Sequence, residues 1–123
     1  MKFARLAQIA AETVARTQRK LPPDIREAAR AVAVHLEPEP GPDVLADGFE
    51  PDLLGLFTWE PHGSGHSGGS PLPAQILLYV NNLWDYAEGD SQAFRDEVRT
   101  TYLHELGHYL GWDEGDVAAR GLD

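Results

Sequence analysis

Apolar residues recur every three or four positions at the start of the chain, which predicts an amphipathic helix over residues 3–19. The apolar stripe comprises Phe3, Leu6, Ala7, Ile9, Ala10 and Val14. The segment Leu21-Pro22-Pro23-Asp24 is expected to end this helix, because proline lacks the backbone N–H that a continuing helix needs. A short helical turn from Ile25 to Arg30 is expected next, since Pro23 suits the first turn of a helix.

Three segments rich in apolar, β-branched and aromatic residues predict strands at 31–37, 53–59 and 75–81. Residues 41–51 are acidic and are interpreted as a loop, and residues 82–89 as a connection. His35 lies in the first predicted strand. A lone histidine on a strand is usually a packing or surface residue, so His35 is not taken as a metal ligand.

Residues 60–73 are rich in glycine, serine and proline, which predicts a mobile loop that cannot pack. The loop contains His62 and His66, but a spacing of four has no metal-ligand meaning outside a helix. We favour a flexible hairpin connection. The alternative is a flap over an active site, in which one of these histidines assists the substrate carbonyl.

A second long helix is predicted from Asp90 or Ser91, either of which can cap its first turn, to about Leu110. His104 and His108 lie on one side of this helix. The other side is a broad apolar face that is expected to pack on the sheet and comprises Val98, Tyr102, Leu106 and Leu110. Residues 113–123 are expected to form a turn and a short helix at 116–120.

Composition limits the class of protein. With 123 residues, 42% of them hydrophobic, the chain is expected to form one domain over residues 1–123. The absence of cysteine excludes disulfides and thiolate metal sites. A formal net charge of −10 argues against nucleic-acid binding. Because the chain shows neither a signal peptide nor an apolar run of roughly 18–20 residues, a cytoplasmic protein without a membrane partner is expected.

The candidate chemistry is concentrated in His104-Glu105-Leu106-Gly107-His108, an HExxH motif near the end of the second long helix. Histidines four residues apart project from one helix face, so both imidazoles can reach one metal ion. Zn²⁺ suits them because it accepts nitrogen ligands and has little geometric preference of its own. Glu105 lies one step around the helix, where its carboxylate can act as a general base.

Gly111 follows His108 by three residues, where a helix can end in a left-handed conformation that glycine adopts at low cost. If the helix continued, Asp113 and Glu114 would point away from the histidines. With a turn at Gly111, a later carboxylate can swing back as a third protein ligand. A water in the fourth position would make the open arrangement of a catalytic zinc site. The candidates for the third ligand are Glu114, Asp113 and Asp116.

The run from His104 to Glu114 resembles the HExxHxxGxx(H/D) signature of zincin metallopeptidases whose third ligand follows the glycine. The chain as a whole resembles the minimal zincins (mini-zincins), which are small bacterial proteins. The resemblance implies that the two histidines of the motif bind the metal, that Glu105 is the catalytic base and that Gly111 forms the turn. The last position of the signature is usually Asp, whereas here it is Glu114, with Asp113 as the runner-up.

This resemblance implies a zincin-like α+β fold with an N-terminal helix, a mixed sheet of about three or four strands, and the metal helix packed against it. The implied function is a zinc-dependent peptidase that acts on peptides or proteins. The cofactor is Zn²⁺, with another divalent ion or an unoccupied site as the alternative. In zincins an extended substrate pairs with a sheet edge, and residues 75–81 are the best candidate for that edge.

Two other functions stay open. The first is a degenerate zincin, in which the fold is kept, the metal site is poorly occupied and the protein acts as a binding or dimerising module. The small size favours this alternative, because few residues remain to form the walls of a substrate cleft. Alternatively, the protein could bind metal without hydrolysing anything. Formation of a homodimer is compatible with each of these functions. The oxyanion-stabilising group is unassigned among Tyr79, Tyr102, Tyr109, His62 and His66.

Overall fold

The computed structural model describes residues 1–59 and 74–112. These residues form, in chain order, α1 (Phe3–Arg19), α2 (Pro23–Ala29), β1 (Val32–Glu37), α3 (Pro42–Ala46), β2 (Gly55–Thr58), β3 (Ala74–Tyr79), α4 (Val80–Tyr86) and α5 (Ser91–Tyr109). The loop predicted at 60–73 and the short helix predicted at 116–120 lie outside the described residues. Within the described ranges, no helix is long and apolar enough to span a membrane.

Both long helices are present where the sequence predicts them. Helix α1 buries one stripe at spacings of three and four residues, formed by Leu6, Ile9, Ala10, Thr13, Val14 and Thr17. It ends at Arg19 before the two prolines, and α2 then begins with Pro23 in its first turn. At the start of α5, the Asp90 carboxylate accepts a hydrogen bond of 2.7 Å from the backbone N–H of Ala93.

Two short helices occupy segments for which the sequence predicts no helix. Helix α3 lies inside the predicted loop at 41–51. Helix α4 follows β3 directly, so it includes the last two residues of the strand predicted at 75–81 and the first five of the connection predicted at 82–89. Asn81 and Asn82 disfavour a helix, but α4 buries Val80 and Leu83 and is stabilised by that packing. Helices of five and seven residues are too short to show a clear 3.6-residue period in the sequence.

The described strands form one mixed sheet in the order β1-β3-β2. Strand β3 pairs in parallel with β1 and antiparallel with β2. It is therefore the central strand, and the prediction that residues 75–81 form the sheet edge is wrong. The physical reason is that β3 buries side chains on both of its faces, including Ile76, Leu78 and Tyr79, which favours a central position. The edge strand that contacts α5 is β2.

Helices α1, α4 and α5 contact one another and share one hydrophobic core with the sheet. Its fully buried large side chains include Leu6, Ile76, Leu78, Phe94, Tyr102 and Leu106. Gln18 of α1 donates a hydrogen bond of 3.1 Å to the hydroxyl of Tyr102 on α5, which ties the two long helices together. Helices packed against a small mixed sheet confirm the predicted α+β class. Because α5 buries its apolar face here, its histidine side is left toward solvent.

Candidate metal centre

Helix α5 ends directly after the HExxH motif because the chain turns at Gly111. The φ angle of Gly111 is 75°, in the left-handed region that glycine adopts without a steric cost. The backbone N–H of Gly111 donates to the His108 carbonyl at 3.1 Å, and that of Trp112 donates to the Gly107 carbonyl at 2.8 Å. This pair of hydrogen bonds defines a Schellman cap. The predicted turn is therefore confirmed.

His104, Glu105 and His108 come together on the last turns of α5. One potential ligand atom from each side chain lies within 4.8 Å of those from the other two. The two imidazole rings have a centroid separation of 4.6 Å, and Nδ1 of His108 lies 3.3 Å from Oε1 of Glu105. Among the residues that the structure describes, this is the one group of three potential ligands at such a spacing.

The donor set fits a zinc ion. Imidazole nitrogens and carboxylate oxygens are ligands that zinc accepts, and the spacing lets the two nitrogens approach one point. The side chain of His108 is 49% exposed and His104 is half-buried, so the cluster is open on the histidine side. That exposure is what a catalytic centre needs, because water and substrate must reach it.

Glu105 is buried between α5 and β2. Its side chain is only 10% exposed, and the backbone N–H of Phe57 donates a hydrogen bond to its carboxylate. Burial raises the pKa of Glu105 above its usual range, while His108, His104 and the Phe57 N–H oppose that rise because they favour the anion. A carboxylate with a raised pKa is a stronger base, and this one is fixed beside both imidazoles.

Strand β2 approaches α5 closely enough to cover Glu105 because residue 55 is a glycine. A Cβ at Gly55 would lie 2.6 Å from Cγ2 of Thr101, 3.2 Å from the carbonyl oxygen of Leu77 and 3.5 Å from Cγ of Glu105. Carbon atoms in van der Waals contact lie about 3.5–4.0 Å apart, so the distance of 2.6 Å to Cγ2 of Thr101 would be a steric clash. The glycine therefore sets how deeply the general-base candidate is buried.

We expect Gly55→Ala to lower the free energy of unfolding by about 1–3 kcal/mol, the usual cost of overpacking. The β-branched side chain of Thr101 is stiff, and the carbonyl oxygen of Leu77 belongs to the backbone of β3, so neither group can move away easily from an added Cβ. Urea unfolding of the parent and the variant measures the loss. The double variant Gly55→Ala/Thr101→Ser lacks the clashing Cγ2 and should recover part of the stability. An unchanged unfolding midpoint in Gly55→Ala would disprove the tight contact.

The other residues considered from the sequence lie elsewhere. His35 is exposed on β1 and does not join the cluster. Tyr79 and Tyr102 are 1% and 0% exposed, and burial, together with the charges of Glu37 and Asp43, raises the pKa of Tyr79 to about 12. Tyr109 directly follows His108 and stays a candidate oxyanion-stabilising group. His62, His66, Asp113, Glu114 and Asp116 lie outside the described residues.

Sequence reasoning missed two residues that shape the site, Gly55 and Phe57. Gly55 narrows the gap between β2 and α5, and Phe57 supplies the N–H that holds Glu105. A glycine inside a predicted strand is a signal for close backbone approach, and that signal was present at residue 55. The Phe57 hydrogen bond has no sequence signal, because any residue except proline would present the same backbone N–H.

We expect Gly111→Val to weaken zinc binding by about tenfold, since a left-handed conformation costs a residue with a Cβ roughly 1–2 kcal/mol. A Cβ at Gly111 would meet nothing within 4 Å, so backbone strain is the whole cause. Gly111→Asn is the matched control, because asparagine tolerates this region better than valine does. Zinc titration of the three proteins measures the effect. If the valine variant binds zinc as tightly as the parent, the turn does not position the ligands.

Comparison with family models matches residues 29–122 to zincin-like metallopeptidases. The match covers most of the chain and includes the cluster on α5, so the chain belongs to the zincin-like metallopeptidase family. A comparison with curated proteins finds no match. The narrower resemblance to minimal zincins stays a prediction.

Proposed function

We propose that this protein is a zinc-dependent peptidase in which His104 and His108 hold the metal and Glu105 is the general base. The observation that carries the proposal is the buried carboxylate of Glu105 beside two imidazoles of the same helix. A bound zinc ion supplies a Lewis acid for the scissile carbonyl and lowers the pKa of an adjacent water to about 7. Glu114 is the proposed third ligand, with Asp113 as the runner-up.

Glu105 is proposed to move one proton twice. A carboxylate oxygen accepts the proton of the attacking water while the water oxygen bonds to the carbonyl carbon. The same proton then passes to the amide nitrogen as the C–N bond breaks, so that an amine leaves. Burial under β2 and the hydrogen bond from Phe57 support this role, because they hold the carboxylate in one position through both transfers.

We further propose that an extended peptide substrate pairs with β2. In the described sheet β2 is an edge strand, and it contacts the helix that carries the histidines. Edge strands accept an additional strand through their backbone groups, and because the Phe57 N–H already donates to Glu105, the peptide is proposed to pair with other backbone groups of β2. Peptides and proteins therefore suit this site, whereas the net charge of −10 disfavours nucleic acids. A cytoplasmic setting without a membrane partner stays the expectation from the composition.

The proposal is tested by stripping the full chain with a chelator, reloading it with one equivalent of zinc, and measuring cleavage of a peptide library. We expect cleavage that zinc restores and chelation removes. Zinc retained without cleavage of any peptide would instead support a metal-binding protein without hydrolytic activity. No zinc bound at micromolar supply would support a degenerate zincin that acts as a binding or dimerising module.

A further inference from the structure

Three aromatic side chains meet where β2 and α5 end, and we call this cluster the aromatic patch: Phe57, Trp59 and Tyr109. The ring centroids lie 5.5 Å apart for Phe57 and Trp59, 5.9 Å for Phe57 and Tyr109, and 5.6 Å for Trp59 and Tyr109. The interplanar angles are 75°, 67° and 47°. These are the edge-to-face and tilted geometries that stabilise aromatic pairs, so the three rings support one another.

The aromatic patch adjoins the candidate metal centre. Phe57 holds the Glu105 carboxylate through its backbone N–H, and Tyr109 directly follows His108. Phe57 and Trp59 are two residues apart, and both rings contact Tyr109, so both lie on the side of β2 that faces α5. A group bound on the patch would therefore lie beside both the general-base candidate and the second histidine.

The patch is an incomplete apolar surface. Trp59 is 57% exposed, whereas the core aromatics Phe94 and Tyr102 are 0% exposed. Phe57 and Tyr109 are partly buried and pack against the hydrophobic core, so they form a base on which the tryptophan ring is held near the surface. Covering such a surface with another apolar group is favourable, because it removes apolar area from water.

We propose that the aromatic patch binds an aromatic or large aliphatic side chain of the substrate, at a residue that flanks the cleaved bond. This inference rests on the proposed function and narrows its substrate class. A peptide paired with β2 directs every second side chain to the α5 side of the sheet. Facing side chains of paired strands lie about 4.5–5.5 Å apart, so one of these would contact the rings. The patch carries no charged side chain, and the Glu105 carboxylate disfavours an acidic substrate residue.

The test measures binding separately from cleavage. Two end-capped, fluorescein-labelled heptapeptides that differ only in a central Phe or Ser are titrated by anisotropy into the zinc-loaded full chain carrying Glu105→Gln. We expect the Phe peptide to bind at least about tenfold more tightly than the Ser peptide. Adding Trp59→Ala should weaken binding of the Phe peptide by at least about tenfold and binding of the Ser peptide by less than about twofold.

Two matched variants control for the substitution itself. Trp59→Phe keeps an apolar ring and should keep most of the preference. Tyr86→Ala removes another strongly exposed aromatic, 63% exposed on α4, and should change neither affinity. Tyr109→Leu is a second variant of the patch and should also reduce the preference, with thermal unfolding as the check that each protein is folded. Equal binding of both peptides by the parent, or an equal loss for both in Trp59→Ala, overturns the proposal.

Cleavage by the zinc-loaded parent separates this inference from the proposed function. Faster cleavage of the Phe peptide, lost in Trp59→Ala, would support both. Selective binding without cleavage would support the aromatic patch and count against a peptidase. Cleavage of both peptides at equal rates, with equal binding, would support the peptidase and overturn the patch.

Discussion

Glu105→Gln is expected to reduce peptide cleavage by at least about 100-fold while zinc stays bound, because general-base catalysis typically contributes 10²–10⁴-fold. A carboxamide cannot take the proton from water. Its oxygen can still accept the hydrogen bond from the Phe57 N–H, so the side chain should keep its place under β2. The substitution therefore removes the base and little else.

The measurement is kcat at saturating peptide, with the zinc content of each protein determined in parallel. Glu97→Gln is the matched control, since it makes the same change on the same helix outside the histidine cluster. It should leave both cleavage and zinc content unchanged. Cleavage by zinc-loaded Glu105→Gln at more than half of the parent rate would show that another group takes the proton.

His104→Ala and His108→Ala are each expected to weaken zinc binding by more than about 100-fold, because even the loss of a residue that only supports a ligand costs about 10–100-fold. Each variant removes one of the two imidazoles of the cluster. Neither histidine belongs to the hydrophobic core, and alanine is a better helix former than histidine. The fold should therefore survive while the affinity for zinc is lost.

Competition with a fluorescent chelator gives the zinc affinity, and thermal unfolding in excess chelator gives the stability of the metal-free fold. His35→Ala is the matched control because it removes an exposed histidine from β1, outside the cluster. It should bind zinc as the parent does. If both α5 variants also keep the parent affinity, the metal is bound elsewhere on the chain.

The elements with strong local signals could be predicted from the sequence. Helix α1 follows from its apolar stripe, and the start of α5 follows from Asp90, whose carboxylate caps the first turn. The end of α5 follows from Gly111, which adopts the left-handed turn expected of a glycine at that place. Each signal depends on residues of a single helix or of its ends, so it can be recognised without knowledge of the tertiary structure.

Strand order could not be predicted in this way, because it depends on pairing between distant segments. Residues 75–81 look like an edge only while their neighbours are unknown, and in the structure β3 pairs on both sides. The clue to the central position of β3 was its near-continuous apolar sequence, since such runs favour strands that are buried on both faces, as β3 is. Helix α4 could not be predicted from the sequence for a similar reason, because it is stabilised by the burial of Val80 and Leu83 in the folded protein.

The part of the candidate site that lies on α5 could be predicted from the sequence, whereas its contacts with β2 could not. The motif alone brings His104, Glu105 and His108 together, since they share one helix. The enclosure of Glu105 depends on β2, which lies far away in the sequence, and on the missing Cβ of Gly55. The contact of Phe57 and Trp59 with the α5 end is likewise a product of tertiary packing.

The central claim is that two imidazoles from one stretch of α5 bind the same zinc ion. Zinc X-ray absorption spectroscopy of the full chain, loaded with one equivalent of zinc, tests this claim most directly. We expect two histidine nitrogens at about 2.0–2.1 Å, with imidazole multiple scattering, and oxygen ligands completing a four-coordinate site. A zinc ion surrounded by oxygen alone, without imidazole scattering, would contradict the claim.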